Sequence, residues 1–333
     1  MQYKAPAWLP GGHTQTIWSA LCSRRRWGPV LPKVRERWAT PDGDFIDVDR
    51  QQASRQDRPM MVLFHGLEGS SNSHYAQAFA DWAAVHDFHF ALPHFRGCSG
   101  ELNQAPRAYH SGDHQEIDWV LGRLRQEHQA KGGQCMVAAG VSLGGNALMR
   151  WAAEHGQEAR QKADAIASIC SPLDLVQSGH AMGRGLNRHI YTRMFLRSMK
   201  PKAMAKLKQH PGLFDAQKLM AARDLYEFDN VFTAPLHGFR DTDEYWSRAS
   251  AKPLMKNIGL PALALNARND PFVPASSLPQ QMDVSKTVTL WQPEHGGHVG
   301  FAQGNWPSHV RGLPDAVGGW LMSASGHPIM QGM

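Results

Sequence analysis

The stretch "QCMVAAGVSLGGNALMRW", Gln134 to Trp151, decides the fold. Its first half is an unbroken apolar run of strand length ended by glycine, the pattern of a strand buried on both faces of a sheet. Its second half continues as "LGGNALMRWAAEH", Leu143 to His155, with apolar residues at helical spacing. Between them Gly140, Ser142 and Gly144 make G-x-S-x-G. Five residues alone carry little weight in a glycine-rich chain, but the strand-to-helix setting gives them a physical meaning. A sharp turn there pushes the Ser142 hydroxyl above the sheet edge, small residues leave room for the strained backbone, and the helix N-terminus favours developing negative charge. The plainer alternative is a serine that only caps its own helix.

Working outward, the same alternation repeats. "VRERWAT" (Val34–Thr40) and "DFIDVDR" (Asp44–Arg50) flank the turn "PDGD" and predict an antiparallel hairpin. "PMMVLFHG" (Pro59–Gly66) predicts a doubly buried strand, and Ser73–His86 a helix. "FHFALPH" predicts a strand, Asp113–Gln129 an amphipathic helix, and "ADAIASICSP" another strand. Strands reappear at Leu260–Ala267 and Lys286–Gln292, with a short helix expected near "ASSLPQQM" and a last one over "SHVRGLPDAVGGWLM". This is one α/β domain spanning 1–333, with a mostly parallel sheet and helices on both faces. Two segments break the rhythm. Residues 1–32, rich in Pro, Gly and Trp, predict an irregular arm, and 174–250, helical and rich in Met and Phe among Lys and Arg, predicts an inserted cap.

Composition excludes several classes. With 42% hydrophobic and 19% charged residues the chain can build a large core. A net charge of +6 is spread without any Lys/Arg block longer than "RRR" (Arg24–Arg26), so no nucleic-acid partner is expected. The cysteines Cys22, Cys98, Cys135 and Cys170 form no C-x-x-C pair and predict reduced thiols. The N-terminus lacks a signal-peptide pattern and no run is apolar enough to span a bilayer. A cytoplasmic protein without an integral membrane segment is the expectation.

A serine hydroxyl needs a base, and the base an orienting carboxylate. With an elbow of this kind the chain order is serine, acid, histidine, each on a loop after a strand. Asp270 in "NARNDPFVP" has that position, with Asp174 as the second choice. "PEHGGHVGF" (Pro293–Phe301) then holds two histidines. His298, leading into apolar residues, is the expected base, His295 a loop residue, and the Gly-Gly pair a flexible backbone that lets the ring reach Ser142. A zinc site on both histidines would need a third ligand at motif spacing, which is missing, so no metal is expected. The amides of Leu67, in "FHGLEGSSNSHY", and Leu143 are candidates for an oxyanion hole, with His65 fixing the loop. "HPGLFD" (His210–Asp215) fits an acyltransferase H-x4-D pattern but lies in the presumed cap, and Cys98 in "RGCSG" has no base placed for it.

Taken in order, "GGHTQTIW" (Gly11–Trp18), "LFHGLEGSSNSHY", "FRGCSGE", "GVSLGGNALMRW", "NARNDPFVP" and "GGHVGF" resemble the YheT-like family of α/β-hydrolases. The resemblance spans nearly the whole chain. It implies an α/β-hydrolase fold and a triad of Ser142, Asp270 and His298. It also implies hydrolysis of carboxylic esters, with acyl or lipid-like substrates and no cofactor. Eukaryotic members commonly carry an N-terminal membrane anchor, and none is expected here. Two other readings use the same residues: acyl transfer to an alcohol or thiol, and a catalytically silent binding protein of this fold.

Overall fold

The computed structural model describes residues 3–327. A helix α1 (Gly12–Leu21) precedes the hairpin β1 (Val34–Ala39) and β2 (Phe45–Gln51). The alternation then runs β3 (Met60–Phe64), α2 (His74–Val85), β4 (His89–Pro93), α3 (His114–Ala130), β5 (Met136–Val141), α4 (Leu143–His155) and β6 (Ala165–Ile169). After the helical segment described below come β7 (Ala262–Leu265), β8 (Val288–Trp291) and α12 (Gly312–Ala324). The eight strands lie in the order β1-β2-β4-β3-β5-β6-β7-β8. Pairing is antiparallel for β1 with β2 and for β2 with β4, and parallel from β4 through β8.

The continuous apolar runs have a direct physical cause. Side chains alternate between the two faces of a strand, and helices cover both faces here. Along β5, Met136 and Ala138 pack with Ile117, Leu148 and Trp151 of α3 and α4. Val137, Ala139 and Val141 pack on the other face with Phe79 and Trp82 of α2 and Val317 and Leu321 of α12. Each fully buried Val, Leu, Ile, Met or Phe side chain contributes about 1.5–3 kcal/mol. A parallel strand of this sheet therefore has no polar face to give a period-two pattern.

Between β6 and β7 lie α5 (Leu175–Met182), α6 (Gly185–Asn187), a π turn (Arg188–Thr192), α7 (Arg193–Gln209), α8 (Ala216–Ala221), α9 (Leu225–Val231), α10 (Thr233–Leu236) and α11 (Thr242–Ala249). Asp174, Asp215, Asp224 and Asp241 each accept a backbone N–H at the start of α5, α8, α9 and α11. Caps of this type contribute ~1 kcal/mol each and explain why short helices persist here. Leu196, Leu219, Phe228 and Phe232 form an apolar cluster of the segment's own.

Three expectations change. The arm 1–32 is not irregular throughout: α1 is a helix whose buried residues are Gln15, Thr16 and Ser19. A helix whose buried face is polar has no core-facing apolar stripe to betray it. The last helix starts at Gly312 rather than Ser308, because Ser308 takes a φ of 73° and His309 bridges to Arg24 and Gln303. "ASSLPQQM" holds two 3₁₀ turns, Ala275–Ser277 and Gln281–Asp283, separated around Pro279.

Candidate active site

The turn between β5 and α4 puts Ser142 at φ 52° and ψ −120°. A non-glycine residue is strained there by about 1–3 kcal/mol and stays only where its surroundings hold it. Those surroundings require glycines: a Cβ on Gly140 would sit 2.5 Å from the Gly144 carbonyl oxygen, and one on Gly144 2.5 Å from that of His65.

Asp270 follows β7, and His298 lies on the loop between β8 and α12. His298 Nε2 is 3.1 Å from Ser142 Oγ, and Nδ1 is 2.9 Å from Asp270 Oδ2. Asp270 Oδ1 accepts the Phe272 backbone N–H at 2.8 Å, and its carboxylate is wholly enclosed. With the imidazole proton on the aspartate side, Nε2 is left to accept from the serine hydroxyl. The Phe272 ring stacks on His298 at 4.0 Å between centroids, which restricts the imidazole to this plane.

The backbone of the histidine loop is held as tightly as its ring. The consecutive N–H groups of Gly296, Gly297 and His298 donate to Gln15 Oε1 (2.9 Å), Asn269 Oδ1 (3.0 Å) and Thr16 Oγ1 (2.8 Å). Asn269 Nδ2 also donates to Gln15 Oε1, joining the aspartate and histidine loops through α1. Val299 follows at φ 56°, with its carbonyl taking a hydrogen bond from His74 Nε2 at 2.9 Å. Burial holds the His74 pKa down at about 4, so the ring stays a neutral donor. The Gly-Gly pair is therefore not a flexible arm. Gly297 is required by close approach, since a Cβ there would meet the Gly12 carbonyl oxygen at 2.7 Å. Gln15 and Thr16 in "GGHTQTIW" and Asn269 in "NARNDPFVP" are polar positions with no chemistry of their own, and the sequence alone does not mark them as functional.

Leu67 and Leu143 flank the serine. Gly66 lies against it, a Cβ there being 3.1 Å from Ser142 Cβ. The backbone N–H groups of Leu67 and Leu143 have no acceptor among the described residues. Beneath them His65 is fully buried; its Nε2 accepts the Phe95 N–H, its Nδ1 meets the Gly66 carbonyl, and burial pushes its pKa down to about 3. It is thus a neutral brace for this loop.

The other candidates sit elsewhere. Asp174 caps α5, and His295 is exposed beside Asn269. His210 bonds the Gln104 carbonyl while Asp215 caps α8. Cys98 is buried, its thiol pushed up to about 12 by desolvation, too high for a thiolate nucleophile. Among the described residues no group of three or more His, Cys, Asp or Glu side chains is placed to hold a metal ion.

Ser142 and His298 open onto an apolar cavity. Its walls include Leu175, Met182, Phe195, Phe228, Phe232 and Trp246 from the segment between β6 and β7. The strand order, the serine turn and the apolar cavity at the C-terminal ends of parallel strands define an α/β-hydrolase.

Comparison with known sequences agrees. The α/β hydrolase fold family profile matches residues 59–305. YheT of Escherichia coli, whose provisional name is esterase, is 36% identical over 290 residues, 86% of this chain and 84% of its own length. Phospholipase ABHD3 of Mus musculus is 29% identical, covering 84% of this chain and 69% of its own. The monoacylglycerol lipase of Saccharomyces cerevisiae is 26% identical, covering 81% and 59%. Among solved structures, the Pyrococcus furiosus esterase Pf2001 superposes with a TM-score of 0.57 at 15% identity, covering 91% of this chain and all of its own. The chain belongs to the α/β-hydrolase fold family and, within it, to the YheT-like group, and it is a hydrolase of the ester-cleaving kind.

Proposed function

We propose that the protein hydrolyses carboxylic esters of acyl chains through a Ser142–His298–Asp270 triad and a covalent acyl-enzyme. The observation that carries this is the continuous relay from Ser142 Oγ to His298 Nε2 at 3.1 Å and from His298 Nδ1 to Asp270 at 2.9 Å. Ser142 Oγ attacks the ester carbonyl while His298 Nε2 removes its proton, and Asp270 stabilises the resulting imidazolium. The new oxyanion takes hydrogen bonds from the free Leu67 and Leu143 N–H groups; one such donor typically supplies ~3 kcal/mol. Collapse of the intermediate expels the alcohol, which receives the proton held by His298. Water activated by the same imidazole then attacks the acyl-serine, releasing the carboxylic acid and regenerating Ser142. No step calls on a metal or organic cofactor.

The apolar cavity supports an acyl chain as the bound group, since desolvating it there is favourable. Relatives named phospholipase and monoacylglycerol lipase support lipid-like esters as the substrate class. A series of p-nitrophenyl acyl esters tests the reading. Ser142→Ala and His298→Ala should each lose on the order of 10⁶-fold in kcat, and His295→Ala should keep the wild-type rate. Turnover undiminished in Ser142→Ala, or no labelling of Ser142 by a fluorophosphonate in the folded protein, would overturn it.

A further inference from the structure

The basic residues that look scattered along the chain are segregated. Between Leu175 and Phe214 stand eight Lys and Arg and no Asp or Glu, and between Met1 and Arg35 six and none. With the whole chain at +6, everything outside these two segments sums to −8. Lys33 and Arg35 pair with Asp49 and Lys202 with Glu68, and Lys206 is buried, so the unpaired cations of these segments concentrate on Arg184, Arg193 and Arg197 and around Arg24–Arg26.

The same two segments expose apolar side chains in helical register. Leu186, Ile190 and Met194, at i, i+4 and i+8 through α6, the π turn and α7, are 61%, 41% and 55% exposed. Exposed Arg184, Arg193 and Arg197 flank them. On α1, Ile17 and Leu21 extend a stripe begun by His13, and they too are exposed. The stripes meet where His13 Nδ1 lies 3.1 Å from the Tyr191 hydroxyl with the rings stacked. Trp306, also exposed, belongs to a loop tied to α1 by the Trp18 indole N–H on the Pro307 carbonyl. While Leu186, Ile190 and Met194 face solvent, Phe195, Met199 and Ala203 of the same helical stretch line the cavity at Ser142.

We infer that this face docks the protein peripherally on an anionic lipid surface, with the apolar stripe in the headgroup region and the arginines on lipid phosphates. An exposed apolar stripe flanked by cations is what an interfacial helix requires. A second copy of the chain fits poorly, because a two-fold contact would press like-charged segments against each other. Nucleic acid would satisfy the arginines but leave the apolar stripe without a partner. Among the described residues no helix is long and apolar enough to cross a membrane, so the contact is with the surface. The inference does not depend on the triad, since binding is read without turnover.

The test is flotation of the full chain with vesicles of phosphatidylcholine alone and of phosphatidylcholine mixed with phosphatidylglycerol. Retention by the mixed vesicles should exceed that by the neutral ones about tenfold or more and fall as salt is raised. The triple substitutions Leu186→Ser/Ile190→Ser/Met194→Ser and Arg184→Glu/Arg193→Glu/Arg197→Glu should each abolish retention. Both proteins should still hydrolyse a soluble short-chain p-nitrophenyl ester at the wild-type rate, which reports that they fold. The salt dependence of the unaltered chain gives a second readout that needs no variant. Absent retention, equal retention on both vesicles, stronger binding to duplex DNA than to the mixed vesicles, or a solution dimer dissolved by the serine substitutions would each overturn the inference.

Discussion

The Thr16 hydroxyl accepts the backbone N–H of His298 and donates to the Gly12 carbonyl, so one small side chain joins helix α1 to the residue proposed as base. Removing that hydroxyl without changing its volume should loosen the imidazole and leave the acyl cavity alone. Thr16→Val is expected to lower kcat by about 10- to 100-fold with KM nearly constant, since misplacing a catalytic group by an ångström has that effect. Thr16→Ser should restore the rate. Steady-state kinetics with a soluble ester separates the two parameters, and a matching rise in KM would show that Thr16 serves the cavity instead. Ser142, Asp270 and His298 could be read from the chain because each sits at a loop after a strand, where the chemistry of serine demands a particular residue type. Thr16 and Gln15 could not, because accepting a backbone amide is something any polar side chain can do.

At the scale of elements, the β5–α4 turn depends on backbones that touch. Gly144 packs against the carbonyls of Phe64 and His65 at the end of β3, where a Cβ would lie 2.7 and 2.5 Å from their oxygens. Gly144→Ala should cost at least about 3 kcal/mol, because backbone cannot yield as a flexible side chain can. The urea midpoint, or failure to recover soluble protein, measures it. The sheet strands were legible because burial on both faces leaves an unbroken apolar run. Helix α1 was not, because its buried face is polar and docks on loop amides. The start of α12 was displaced because the chain turns through Ser308 at positive φ before helix begins.

For the whole molecule, several enclosed histidines link stability to pH. Burial lowers the pKa of His65 and His110 to about 3 and of His74 and His128 to about 4. Folded values below the unfolded ones mean the unfolded chain binds more protons on acidification. Their contribution is complete above the unfolded value of about 6.5 and is lost as pH falls towards the folded values. Glu116 and Asp229 oppose this, since burial raises them to about 7 and 6, so the folded state takes up their protons first. Four sites against two leave the histidines dominant. The urea midpoint should therefore fall between pH 6.5 and 5, with about 1.4 kcal/mol lost per pH unit for each net proton. A flat midpoint over that window would show that these rings are not held neutral in the folded protein.

The amino-acid sequence by itself determined the parallel core, the serine turn and the order of serine, aspartate and histidine, because those depend on local rules. A doubly buried strand must be apolar along its length, and a strained turn needs small neighbours. Only the tertiary structure decided what holds the histidine loop and which surface carries the charge. Both depend on distant segments meeting. The residues of α1 reach the loops at Asn269 and His298 across more than 250 positions of chain, and α1 meets the segment between β6 and β7 at His13 and Tyr191 only once both have folded.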